Sequence, residues 1–263
     1  MLYHFWGETM IILHADLDNT IIYSYKHDMK MPKRCVEWYH GREISYVTEK
    51  TFEYLKRLTE KMLIVPTSTR TAEQYKRIDL GVGAFPYALV CNGGILLKNG
   101  VSDDQWYRDS VEMVQESIVE LQKSMKSLRD DPRRIFELRF IEDLFVFTKC
   151  NEPEKVVDDL IKKLDITKVN VFHNGAKVYV VPRKLSKGMA IRRFKNDMNP
   201  DLVIAAGDSE FDISMLKEAD IGLAPHGFAE QYHIDFEVRE AGEKTLFSES
   251  FLRTCLEIKE AEK

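Results

Sequence analysis

Short apolar runs that stop abruptly at polar residues recur along the chain, each too short for a helix. Ile11 to Ala15, Met62 to Val65, Tyr87 to Cys91, Leu202 to Ala206 and Ile221 to Ala224 read as buried strands. Between them the apolar positions take helical spacing: Phe52, Leu55 and Leu58 behind a Thr48 N-cap, then Met189, Ile191, Phe194 and Met198 behind Leu185-Ser186-Lys187-Gly188. A closing helix is predicted over Leu246 to Ile258. Strands alternating with helices predict an α/β fold with a parallel sheet. Ile21 to Ser45, rich in Tyr, Lys, His and Arg, keeps neither period and reads as a flap or loop beside the first strand end. Tyr23, Tyr25, Lys26 and His27 are candidates for contact there, although a solvated loop explains them equally.

From about Asp104 the pattern changes. Val111, Val114, Ile118, Leu121, Met125 and Leu128 recur at steps of three and four, which predicts one long amphipathic helix. Arg134 to Ile141 and Leu144 to Lys149 read as antiparallel strands joined at Glu142-Asp143. A helix follows at Val157, Leu160, Ile161 and Leu164, and then Lys168 to Phe172 and Lys177 to Val181, turning at His173-Asn174-Gly175. This helix-strand-strand unit, used twice, predicts an α+β module over residues 104–185, inserted into a first domain made of residues 1–103 and 186–263. If Phe136, Leu138 and Phe140 pack on the helices, Glu137 and Arg139 fall on the opposite face. There they are solvated, paired across strands, or free to contact a substrate.

Composition narrows the function. Of 263 residues 44% are hydrophobic and 31% charged, as in ordinary soluble globular proteins. A formal net charge of -5 gives no footprint for nucleic acid or an anionic membrane. Cys35, Cys91, Cys150 and Cys255 lack metal-type spacing and suit free thiols in a reducing compartment, so a cytoplasmic location is expected. No apolar run is long enough to span a bilayer. The first nine residues lack the basic start and apolar centre of a signal peptide, and Met10 stands directly before the first strand. Residues 1–9 therefore read as an N-terminal extension.

The chemistry sits where the strands end. Asp16 and Asp18 follow the first strand one residue apart, so on an extended chain they share a side and can converge on one ligand. Two such carboxylates repel unless a cation lies between them or they share a proton; a polar turn is the plain alternative. The second strand ends in Pro66-Thr67-Ser68-Thr69-Arg70, a hydroxyl cluster placed to hold phosphate or merely to cap the helix that Thr71 and Gln74 open as a capping box. The third runs into Asn92-Gly93-Gly94, where backbone can approach a ligand or simply turn a hairpin. The fourth ends in Gly207-Asp208-Ser209-Glu210-Phe211-Asp212, with Asp212 one helical turn beyond Asp208.

In this order, Asp16, Asp18, a hydroxyl among Thr67 to Thr69, Lys187, Asp208 and Asp212 resemble the motifs of the haloacid dehalogenase (HAD) superfamily. Within it the chain is similar to phosphatases with a class IIB cap, such as Cof-type sugar phosphatases and sucrose-phosphate phosphatases. The resemblance implies a Rossmann-like parallel-sheet core with an αββ-αββ cap, and hydrolysis of a small-molecule phosphate ester, notably a sugar phosphate. It implies Asp16 as nucleophile and Asp18 as general acid and base, which needs Asp16 ionised and Asp18 protonated. Lys187 and Ser68 would stabilise the transferring phosphoryl group. Mg²⁺ would be held by Asp16, Asp208, Asp212 and the backbone carbonyl of Asp18. Asn92, Arg70, Glu137, Arg139 and Lys177 are candidate substrate contacts, with His173 and Asn174 beside them. The chain departs from the family where Ser68-Thr69-Arg70 replaces Thr-Gly-Arg, leaving Thr67 or Ser68 to supply the hydroxyl, where Asn19 replaces a common glycine, and where Phe211 replaces a common asparagine. A phosphomutase of the phosphomannomutase type and a non-catalytic binding or regulatory module are the alternatives.

Overall fold

The computed structural model describes residues 9–261, so the expected extension lies outside the described residues except for Thr9. The chain begins with β1 (Ile11–Ala15), whose five residues are all buried, as a strand covered on both faces must be. Then come β2 (Tyr23–Ser24), β3 (Lys33–Tyr39), β4 (Arg42–Thr48) and α1 (Glu49–Leu58). Thr48 caps α1 by accepting from the Thr51 N–H, with Glu49 in the first turn and Lys56 and Arg57 in the last, so both ends suit the helix dipole. β5 (Leu63–Pro66) leads through the Thr71 and Gln74 capping box into the single turn α2 (Ala72–Tyr75). β6 (Tyr87–Val90), β7 (Ile95–Lys98) and β8 (Val101–Ser102) follow.

A second compact unit occupies Asp103–Ser186, and the first resumes at Lys187. The second unit holds α3 (Asp104–Val114), α4 (Ile118–Arg129), β9 (Arg139–Ile141), β10 (Phe145–Lys149), α5 (Pro153–Ile161), β11 (Val169–Asn174) and β12 (Lys177–Pro182). Its four strands form one antiparallel sheet, ordered β11-β12-β10-β9. The first unit continues with α6 (Lys187–Met198), β13 (Leu202–Ala206), α7 (Ile213–Glu218), β14 (Ile221–Ala224), α8 (Phe228–Tyr232), β15 (Arg239–Glu240) and α9 (Phe247–Ala261).

The first unit is α/β. Its parallel sheet has the order β15-β14-β13-β1-β5, which seats β1 between β13 and β5. Side chains alternate across it: Ile11, Leu13 and Ala15 join Leu55, Leu58, Phe251 and Leu252 on one face. Val203 and Ala205 pack with Ile191, Met215 and Phe228 on the other. Thr51 and Ser248 exchange a buried 2.8 Å hydrogen bond between α1 and α9. The strand expected third, β6, pairs antiparallel with β7 and meets the parallel sheet through a single Thr67–Leu89 bridge. The fifth parallel strand is instead the two-residue β15, too short to leave a hydropathy signal. All four cysteines are free thiols, and among the described residues no helix is long and apolar enough to cross a membrane.

Several local expectations need correction. The expected loop at 21–45 is a three-stranded antiparallel sheet, β2-β4-β3, whose period a bulge interrupts at Glu37. The single helix expected through Leu128 is two, parted by a 3₁₀ turn at Gln115–Ser117, where the Ser117 hydroxyl donates to the Lys168 carbonyl. The strand expected from Arg134 begins only at Arg139, because Thr148 Oγ1 bonds the carbonyls of Phe136 and Glu137, each at 3.1 Å, in place of ladder bonds. Leu138 and Phe140 do pack on the helical side, but Phe136 turns the other way, 6.0 Å from the Phe147 ring and beneath the guanidinium of Arg139. The hairpin expected at His173-Asn174-Gly175 turns at Gly175-Ala176, since Asn174 still pairs with Lys177.

Thr148 is fully buried, so Thr148→Val removes, without changing shape, the donor shared by the Phe136 and Glu137 carbonyls, of which Phe136 O keeps its bond from Arg134 Nη1. We expect a loss of about 1–3 kcal/mol in denaturant unfolding, and a stability equal to wild type would show that water replaces the hydroxyl there.

Candidate active site

The ends of β1 and β13 bring the acids together. Asp16 N–H donates to the Ala206 carbonyl at 2.9 Å, so the ladder carries Asp16 out of the sheet beside Gly207. Lys187, the first residue of α6, is only 1% exposed, and its Nζ donates to Asp16 Oδ1 at 2.5 Å and to Asp212 Oδ1 at 2.6 Å. Asp212 Oδ2 accepts from Asp208 N, Ser209 N and Ser209 Oγ, which closes the loop between β13 and α7 around it. Thr20 Oγ1 donates to Asp208 Oδ1 at 3.0 Å.

One carboxylate oxygen each from Asp16, Asp208 and Asp212 lies within 4.8 Å of the others. Three carboxylates against one ammonium leave two negative charges in a buried place, and all donors are hard oxygens, so the group suits a hard divalent cation. Both oxygens of Asp212 already receive protein donors, which fits it to hold Lys187 and a cation's water rather than the cation itself. Burial, opposed by Lys187 but reinforced by Asp212 and Asp208, pushes the Asp16 carboxyl well above the usual range. Burial and the neighbouring Asp212 push Asp208 up to about 7. Burial disfavours the Lys187 ammonium, yet Asp16 and Asp212 outweigh it and hold its pKa above the ordinary lysine value.

Asp18 behaves differently from its expected partner. Strand geometry ends at Ala15, and Asn19 adopts φ 60°. The Asp18 carboxylate is gripped by Arg70, Nε to Oδ2 at 2.8 Å and an Nη to Oδ1 at 2.7 Å. Burial acts on Asp16, whereas Asp18 sits in a bidentate ion pair.

The Ser68 loop is laced to the end of β6. Ser68 N–H donates to Leu89 O, Asn92 N–H to Ser68 O and Cys91 N–H to Arg70 O, with Cys91 and Asn92 both in the left-handed region. Thr67 Oγ1 gives its proton to the Val65 carbonyl and meets His14 Nδ1 at 3.1 Å. Burial lowers the pKa of that histidine to about 3, so it is neutral. Ser68 Oγ accepts from Arg70 N–H at 3.2 Å, which leaves its own proton to donate. Asn92 is buried at the same loop.

Glu137, Arg139 and Lys177 belong to the second unit; Glu137 and Arg139 pair with each other, and Lys177 stands opposite Lys149. His173 and Asn174 end β11. Sequence reasoning missed Thr20 and Ser209, which hold Asp208 and Asp212, and Glu37, which holds Arg70. The two hydroxyls stand one or two residues from the motif acids, a spacing that could have flagged them. Glu37 gave no such signal.

The family model of haloacid dehalogenase-like hydrolases matches residues 96–226. A phosphoglycolate phosphatase of Methanopyrus kandleri is 25% identical over 213 residues, covering 79% of this chain and 89% of that protein. One from Sulfurisphaera tokodaii is 25% identical over 186 residues, covering 68% and 72%. Among solved structures, the sucrose-phosphatase of Synechocystis sp. PCC6803 in complex with sucrose and phosphate superposes with TM-score 0.64 at 14% identity, covering 95% of this chain and 98% of that one.

The raised Asp208 pKa sets a pH dependence. With about 7 in the folded protein against roughly 3.9 unfolded, folding takes up a proton between those values. The contribution of this group to metal-free stability therefore falls as pH rises from about 4 to 7. A bound cation competes with that proton. The increase in Tm produced by Mg²⁺ should grow between pH 5.5 and 7.5 and level off above; a shift independent of pH would mean that these carboxylates do not bind the ion.

Proposed function

Because the chain is a haloacid dehalogenase-like hydrolase, we propose that it is a Mg²⁺-dependent phosphatase that hydrolyses a small phosphorylated metabolite through an aspartyl-phosphate on Asp16. The observation that carries this reading is the buried Lys187 shared by Asp16 and Asp212, next to an acidic group two charges short of neutrality. Asp16 and Asp208, with the Asp18 carbonyl, would hold the ion directly, and Asp212 through water. When bound, Mg²⁺ neutralises this surplus and the charge on the phosphoryl oxygens.

Asp16 attacks phosphorus as the ester P–O bond breaks, and Asp18 gives a proton to the departing oxygen. Asp18 then takes a proton from water as that water attacks phosphorus, breaking the bond to Asp16 and releasing inorganic phosphate. To act as the acid, Asp18 must exchange one Arg70 bond for a proton. Lys187 keeps Asp16 charged and oriented, while the Ser68 hydroxyl and the Asn92 side chain bind phosphoryl oxygens. We choose Ser68 over Thr67 because the Thr67 proton is spent on Val65.

Sugar phosphates and 2-phosphoglycolate lead the candidate substrates: two relatives are named for phosphoglycolate, and the sucrose-phosphatase was solved with sucrose and phosphate. We assign leaving-group selection to the second unit as a cap, through Glu137, Arg139 and Lys177, and the site of action to the cytoplasm.

Phosphate release should be measured on sugar, polyol and nucleotide phosphates and 2-phosphoglycolate, with Mg²⁺ or chelator. Turnover should require the ion, and Asp16→Asn should lower kcat by roughly 10³-fold or more. Turnover without metal, or full activity in that variant, would sink the reading; transfer of phosphate between positions of a sugar would identify a mutase. Arg139→Ala should raise KM for the preferred substrate while an aryl phosphate is spared. Equal loss on both would assign Arg139 a structural role.

A further inference from the structure

Glu37 is buried where its strand should expose it. β3 and β4 pair in one register as far as Cys35–Tyr46, slip by one at Glu37–Ser45 and recover at Trp38–Glu43. The bulge turns Val36 and Glu37 inward together, at 3% and 1% exposure. A carboxylate in that place is costly unless it is paired. Ser45 Oγ donates to its Oε2 at 2.6 Å, Arg70 donates to Oε1 at 2.8 Å and to Oε2 at 3.0 Å, and Arg77 Nε lies 3.4 Å from Oε1. Burial alone would raise the Glu37 pKa, but these partners outweigh it and hold it below the ordinary value.

The same guanidinium reaches Asp18 with its other edge. Glu37 therefore fixes one edge of a rigid planar group whose adjacent edge, sharing Nη2, holds a carboxylate that is half exposed. Two arginines and two carboxylates make this cluster electrically neutral, in contrast to the acidic group beside it, so it calls for no cation.

We infer that Glu37 is a positioning residue: through Arg70 it sets where the Asp18 carboxylate stands for proton transfer to the leaving group. The inference rests on the reading of Asp18 as acid and base given above. An aspartate on a turn samples several rotamers, and a clamp anchored in the core restricts them.

Proton transfer matters for an alkoxide leaving group and hardly at all for dinitrophenolate. kcat/KM is therefore compared between the best alkyl phosphate of the panel above and 2,4-dinitrophenyl phosphate, for wild type, Asp18→Asn, Glu37→Gln and Glu37→Asp. Asp18→Asn should lose roughly 10²-fold or more on the alkyl ester and less on the aryl ester, and Glu37→Gln roughly 10-fold to 10²-fold on the alkyl ester with the aryl ester changed by less than about 3-fold. Glu37→Asp keeps the charge but draws it back by one methylene, and should fall between Glu37→Gln and wild type. Equal losses on both esters in Glu37→Gln would overturn the inference and leave Glu37 as a hairpin anchor. Should Glu37→Gln not fold, the ratio in Glu37→Asp decides, and an unchanged ratio overturns it. If Asp18→Asn itself shows no dependence on leaving group, the acid and base reading falls and the inference with it.

Discussion

The ammonium of Lys187, hydrogen-bonded at once to Asp16 and Asp212, sets the terms for everything at the carboxyl edge of the parallel sheet. A buried cation needs its counter-charges, and these counter-charges outnumber it. The arrangement also dictates sterics around it. A Cβ on Gly188 would lie 2.2 Å from the Ser214 carbonyl, and one on Gly207 would lie 2.4 Å from Asp212 Cβ, so both positions must stay bare for α6 and α7 to bring lysine and aspartate together. Packing and electrostatics here are one constraint. The surplus of negative charge persists only because the hydrophobic faces of the sheet hold its members in place.

Beside it stands a second cluster built on the opposite principle. Asp18, Arg70, Glu37 and Arg77 cancel one another, and their geometry comes from a flap whose register is locally broken. One cluster is left incomplete in charge and the other complete, and the two flank the same strand end. On the reading proposed above, the first does the electrostatic work and the second the orienting.

Much of this was legible in the sequence where a residue's environment is set locally. The β1 and β13 runs are apolar but for the neutral, buried His14 because parallel strands are covered on both faces, and the acids follow at their ends. Thr48 and Thr71 announce their helices by capping chemistry alone. What stayed hidden depends on partners far along the chain. Glu37 lies in a stretch whose strand period the bulge hides, and the shortened β9 follows from one hydroxyl on Thr148. Asp16 and Asp18 look equivalent in sequence, yet one backbone turn separates their fates.

The order of the chain has its own consequence. Lys187 follows Asp16 by 171 residues, and every strand of the second unit is made between them. As the chain leaves the ribosome, β1 can meet β5 early, but its other neighbour, β13, emerges only after the whole of the second unit. Until then one edge of this buried strand has no partner to pair with, and Asp16 has neither Lys187 nor Asp208 and Asp212. The second unit can mature while the first waits half-built, so the nascent chain carries its exposed strand edge longest at the place where Lys187 will meet Asp16 and Asp212.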